Sequence, residues 1–154
     1  PLKNFCKAQL SSKQKLFPPK KISAKLFKIQ VSAAVLFNKG CVYIQKRKGK
    51  GLMGGLWEFP GGKREAGETE EECLRREIKE ELGINIRICK KLMTYRHSYT
   101  RFRVTLHVFQ CQIHSGKLSP TECDEWKWVK PEELDQFPFP AANVKIIKLL
   151  NKNI

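Results

Sequence analysis

The sequence predicts an α/β or α+β sandwich, on three observations. "IQVSAAVLF" and "CVYIQKR" flank a short Gly-containing turn signal, and "INIRICKKLMTYRHSYTRFRVTLHVFQCQI" alternates with the period two of strands. The segment "TEEECLRREIKEELG" carries helix signals at both ends. Strand and helix patterns intermix along 154 residues, a length that suits one domain with a real core plus an extension.

Residues 1–28 read as a basic extension, with Lys, Ser and Gln, a Pro18-Pro19 break and weak periodicity. The domain is placed at 29–154. Its first two strands are separated by Asn38-Lys39-Gly40, a hairpin turn signal. The glycine-rich "KGKGLMGGLW" is a loop. The helix follows, with Thr69 and Glu72 spaced as a capping box and Gly83 at the C-terminal cap. Two strands are then expected around a loop near His97 to Thr100, and "EWKWV" is a further short strand. "KPEELDQF" reads as a short helix opened by Pro131, and "AANVKIIKLLNK" as an amphipathic one.

Charge is unevenly placed. The net charge is +15, and thirteen Lys and Arg but no Asp or Glu precede Glu58. Such an arm suits either a polyanion partner or a solvated linker. No apolar run approaches the roughly 18 residues of a membrane span, and "PLKNFCKAQLSSKQK" lacks a signal-peptide core. Cys6, Cys41, Cys73, Cys89, Cys111 and Cys123 are scattered without a C-x-x-C pair, as reduced thiols are. The expected compartment is the cytoplasm.

Eight of the fifteen acidic residues lie between Gly61 and Ile84. On a helix Glu77, Glu80 and Glu81 fall at i, i+3 and i+4, hence on one face, while Leu74, Ile78 and Leu82 form a neighbouring apolar stripe. Either the acidic face is simply solvated, or its carboxylates converge on a cation. Hard divalent ions such as Mg2+ or Mn2+ take such oxygen ligands.

Gly62, Glu68, Arg76-Glu77-Ile78, Glu80-Glu81 and Gly83-Ile84 stand at the fixed positions of the Nudix box, so this stretch resembles that family. The resemblance implies the Nudix fold, an α/β/α sandwich with a mixed β-sheet and a loop–helix–loop site, and cleavage of nucleoside diphosphate-linked substrates. It implies Mg2+ or Mn2+ held by Glu77, Glu80 and Glu81 with the backbone of Gly61. Glu80 or Glu81 would take a proton from the attacking water, and Arg76 would orient a helix carboxylate.

"WEFPGGK" and "FPFPAAN" are similar to MutT-type hydrolases of oxidised deoxyguanosine triphosphate. That similarity implies Asn143 as a reader of the oxidised purine, Glu125 as a further metal carboxylate and Arg47 on the substrate. Read from position alone, Asn143 also suits a helix N-cap. "GLMGGLWEFPGG", "YRHSYTRFRVTLHVF" and "ELDQFPFPAAN" also resemble the C-terminal domain of MutY, the A/G-specific adenine DNA glycosylase. This second resemblance implies 8-oxoguanine recognition in double-stranded DNA, opposite adenine, through Tyr99, Thr100 and Arg101. It implies Cys6 as the last ligand of a 4Fe-4S cluster present only in a full-length parent. The MutY reading is the leading expectation, because the amino-terminal "PLKNFCKA…LFPPKK" resembles the end of that family's iron–sulfur loop and its linker. A free-standing 8-oxo-dGTP diphosphatase is the alternative.

Overall fold

The computed structural model describes residues 26–51 and 53–153. Its strands are β1 (Phe27–Asn38), β2 (Cys41–Arg47), β3 (Trp57–Glu58), β4 (Gly61–Lys63), β5 (Asn85–Ser98), β6 (Phe102–Ser115) and β7 (Cys123–Val129). Helix α1 spans Glu70–Leu82 and α2 spans Ala141–Lys152. The segment after β7 is a 3-10 helix, Pro131–Gln136, with Pro131 in its first turn. The predicted linker lies almost wholly outside the described residues, and β1 begins two residues before the predicted domain start.

All seven strands belong to one mixed sheet, in the order β3-β2-β1-β6-β5, with β4 on β1 and β7 on β2. The β1–β2 hairpin turns on Lys39 and Gly40, whose φ values of 53° and 79° are both positive. Two successive left-handed residues match the right-handed twist of the flanking strands, and glycine tolerates that conformation without strain. β1 pairs with β6 in parallel from Phe27↔Phe102 to Phe37↔Gln112. β5 and β6 form the long antiparallel arm expected around the His97–Thr100 turn, although β5 continues to Ser98.

Each face of the sheet buries its own core. Ala34, Leu36, Tyr43 and Phe109 receive Leu74, Ile78 and Leu82 from α1. On the other face Val35, Ile44, Trp57, Phe59 and Val108 receive Ile146, Ile147 and Leu150 from α2. The consecutive apolar residues of β1 and β2 thus serve the two faces in turn. This is the helix–sheet–helix sandwich that the Nudix resemblance implies.

Candidate active site

Helix α1 is fixed at both ends. Thr69 Oγ1 accepts from the Glu72 N–H at 3.1 Å, and Glu72 Oε2 accepts from the Thr69 N–H at 2.8 Å. Gly83 closes the helix in the left-handed region at φ 72°. With the apolar stripe seated on the sheet, Glu77 and Glu81 come to lie over β4 and β2.

Two glycines make that approach possible. A Cβ at Gly61 would collide with the Ser32 carbonyl of β1, and one at Gly62 would collide with the Glu77 carboxylate. Gly61 also holds φ 152°, which disfavours any side chain.

Arg76 ties the loop to the helix. Its Nη1 donates to Glu77 Oε1 at 2.9 Å and to Glu80 Oε2 at 3.4 Å, and its Nη2 to Glu68 Oε2 at 3.0 Å and the Lys63 carbonyl at 3.1 Å. The Arg76 guanidinium on Glu68, and then the Glu65 N–H that donates to it, hold the Glu68 carboxyl down to about 2. Glu80 faces solvent, whereas Glu81 turns under the helix towards the sheet. Burial, then the fields of Glu58 and Glu77, push the Glu81 carboxyl up to about 8.

Glu58 and Gln45 belong to this group and escaped the sequence reading. Gln45 Nε2 reaches Glu58 Oε1 at 3.3 Å and Glu81 Oε2 at 3.5 Å. The signal for Glu58 is its place within the family motif "WEFPGGK". Gln45 ends the apolar run of "CVYIQKR" and carries no motif signal.

The other candidates are more widely placed. Arg47 Nη1 donates to Glu58 Oε2 at 2.6 Å, so it stands at the rim of the carboxylate group. Asn143 does not cap α2, since Pro140 holds that position. Its Oδ1 instead accepts from the Phe59 N–H at 3.3 Å, beside the stacked Phe59 and Phe139 rings. Glu125 lies 3.8 Å from both Lys46 and Lys127. Register places its neighbour Trp126 opposite Gln45, so Glu125 stands on the other face of the sheet. Tyr99, Thr100 and Arg101 form the β5–β6 tip, where Tyr99 packs on His97 and Phe102. Five residues of β1 separate Phe27, beside that tip, from Ser32, beside Gly62, or roughly 16 Å of strand. The tip is therefore remote from the box.

As the side chains stand, no three His, Cys, Asp or Glu among the described residues close into a metal-binding cluster. The donor set nevertheless suits a hard cation. Glu58, Glu77 and Glu81 crowd one place, and the Glu81 carboxyl rises because no positive partner offsets its burial. A divalent ion supplies the missing charge and takes only oxygen ligands here.

Residues 32–149 match the NUDIX domain, and the chain belongs to the Nudix family. It is 35% identical over 127 residues to an 8-oxo-dGTP diphosphatase of Haemophilus influenzae, covering 80% of this chain and 93% of that protein. It is 30% identical over 120 residues to a CTP pyrophosphohydrolase of Escherichia coli, covering 78% and 89%. The solution structure of the E. coli ORF135 protein superposes with a TM-score of 0.73 at 28% identity, over 82% of this chain and 91% of that one. Nudix hydrolases generally use Mg2+ or Mn2+.

These matches overturn the MutY expectation. The chain aligns along most of the length of free-standing MutT-like hydrolases, and nothing in the matches indicates a glycosylase domain. The error has a physical origin. "GLWEFPGG" and "FPFPAAN" build β3, β4 and the start of α2, which frame the box whatever the domain is attached to. The glycosylase, the double-stranded DNA partner and the 4Fe-4S cluster fall with that reading, and Cys6 lies outside the described residues. Among those residues no helix is long and apolar enough to cross a membrane.

Proposed function

We propose that residues 29–154 form a MutT-type diphosphatase that cleaves an oxidised purine deoxynucleoside triphosphate, 8-oxo-dGTP, to the monophosphate and pyrophosphate. The observation that carries this reading is the gathering of Glu58, Glu77 and Glu81 against the Gly61-Gly62 backbone. Glu77, Glu80 and Glu81 with Gly61 hold Mg2+ or Mn2+, while Glu125, on the other face of the sheet beside Lys46 and Lys127, takes no part. Bound there, the metal neutralises phosphate charge and acidifies water.

The chain's own residues do the rest. Glu80 or Glu81 accepts the proton of the water that attacks phosphorus. Arg76 keeps Glu77 and Glu80 oriented, and Arg47 turns from Glu58 to the substrate phosphates. Asn143, held against Phe59 through its Oδ1, offers its Nδ2 to the base, with Phe59 and Phe139 beside it. Tyr99, Thr100 and Arg101 at the remote tip take no part in cleavage. The cytoplasm, where free nucleotides occur, is the proposed compartment, and residues 1–28 a linker.

The test is pyrophosphate release from 8-oxo-dGTP, dGTP and CTP with Mg2+. Turnover of 8-oxo-dGTP above roughly 1 per second is expected, with Asn143→Ala raising KM for 8-oxo-dGTP more than for dGTP. Faster turnover of CTP would favour a second reading, supported by the similarity to the CTP pyrophosphohydrolase. No release from any of the three would end the proposal.

A further inference from the structure

Gln45 is 2% exposed, yet it carries a polar amide into the layer between the sheet and α1. On β2 it is flanked by Glu58 of β3 and Trp126 of β7. Its Nε2 reaches Glu58 Oε1 at 3.3 Å and Glu81 Oε2 at 3.5 Å, and its Oε1 accepts from the Tyr43 hydroxyl at 3.2 Å. Chemistry fixes the sense of the amide. Carboxylates that hold a cation only accept, so the NH2 faces them and the oxygen faces Tyr43.

The rest of Glu58 is also engaged, since its Oε2 accepts from Arg47 at 2.6 Å. One hydrogen-bonded series therefore runs from Tyr43 through Gln45 to Glu81 on one branch, and to Glu58 and Arg47 on the other. Only a neutral donor suits the junction. A Lys or Arg would cancel the negative charge the site needs, and an acid would add repulsion. A leucine would leave two carboxylate oxygens without their donor.

We propose that Gln45 is a positioning residue. Its amide, fixed by Tyr43, spans Glu58 and Glu81 and holds the Glu81 carboxylate with its second oxygen free for a divalent cation. It also ties that carboxylate to Arg47. The inference rests on the proposed diphosphatase reading.

Mn2+ binding to the full chain, followed by electron paramagnetic resonance without nucleotide, tests it. Thermal melting of each variant runs alongside. Gln45→Leu is expected to remain folded and to bind Mn2+ about tenfold more weakly, and Tyr43→Phe about threefold more weakly. With Mg2+ and nucleotide, Gln45→Leu should lower kcat and leave KM unchanged. A folded Gln45→Leu with wild-type Mn2+ affinity would overturn the inference while leaving the diphosphatase reading intact. If Gln45→Leu does not fold, Tyr43→Phe decides, and unchanged affinity there overturns it equally. A wild-type chain that binds no Mn2+ sinks the diphosphatase reading, and this inference with it.

Discussion

Replacing Glu81 with Gln should stabilise the metal-free protein near neutral pH while abolishing its use of metal. The ordinary Glu value is 4.5, and burial with Glu58 and Glu77 nearby raises Glu81 to about 8. Between those values the native state holds a proton that the unfolded chain has released. Folding then takes up a proton, so stability falls as pH rises through this window. At pH 7 the lag is about 2.5 pH units, and at about 1.36 kcal/mol per unit the cost is about 3 kcal/mol. Glutamine keeps the shape and one acceptor oxygen without this penalty. At roughly 2–4 °C per kcal/mol for a domain of this size, Glu81→Gln should melt some 6–12 °C above wild type in EDTA at pH 7. The gain should shrink to about 0.4 kcal/mol at pH 4.5, where the unfolded carboxyl is only half ionised and the native one still holds its proton. Calorimetric melts at both pH values measure it. Equal melting temperatures at pH 7, or the same gain at pH 4.5, would refute the assignment of Glu81 as an uncompensated buried acid. Added Mg2+ should raise the wild-type melt and leave the variant unmoved.

Gly62→Ala should fold, since Gly62 is not in the left-handed region, but its Cβ would displace Glu77; Mn2+ titration should show at least a tenfold loss. Glu68 is held at about 2 by Arg76, so its contribution to stability is full above the ordinary value of 4.5 and is lost as pH falls through about 2. Acid titrations of wild type and Glu68→Gln by circular dichroism should therefore diverge above pH 4.5 and converge below pH 2. Ile78→Ala empties a fully buried position between α1 and the sheet, and urea unfolding should register a loss of about 2–5 kcal/mol.

The parts of the fold legible in the sequence are those written in local chemistry. Thr69, Glu72 and Gly83 mark α1 within a residue or two, because capping needs particular side chains at particular offsets. Asn38-Lys39-Gly40 marks the hairpin for the same reason. The parallel pairing of β1 with β6 had no such signal, since it joins residues some 75 positions apart. Pro131 announced a helix start but not its 3-10 character.

Within the site, spacing put Glu77, Glu80 and Glu81 on one face, yet could not show that Glu80 faces water while Glu81 turns inward. Gln45 was illegible for a tertiary reason. A polar residue that ends an apolar run suits a solvated strand end, whereas here it lies beneath α1. Glu125 was carried over from a motif, and register sets it on the opposite face of the sheet.

The helix that carries the acidic face is anchored well beyond its own caps. Ser32 Oγ donates to the Glu70 carbonyl at 2.8 Å, and the Ser119 and Thr121 N–H groups close on the Leu82 and Glu81 carbonyls at 2.8 and 3.2 Å. Strand β1, which supplies Ser32, is itself clamped by the distant β6. Its amides should therefore exchange with deuterium only when the whole molecule opens, so the catalytic scaffold behaves as a rigid anvil.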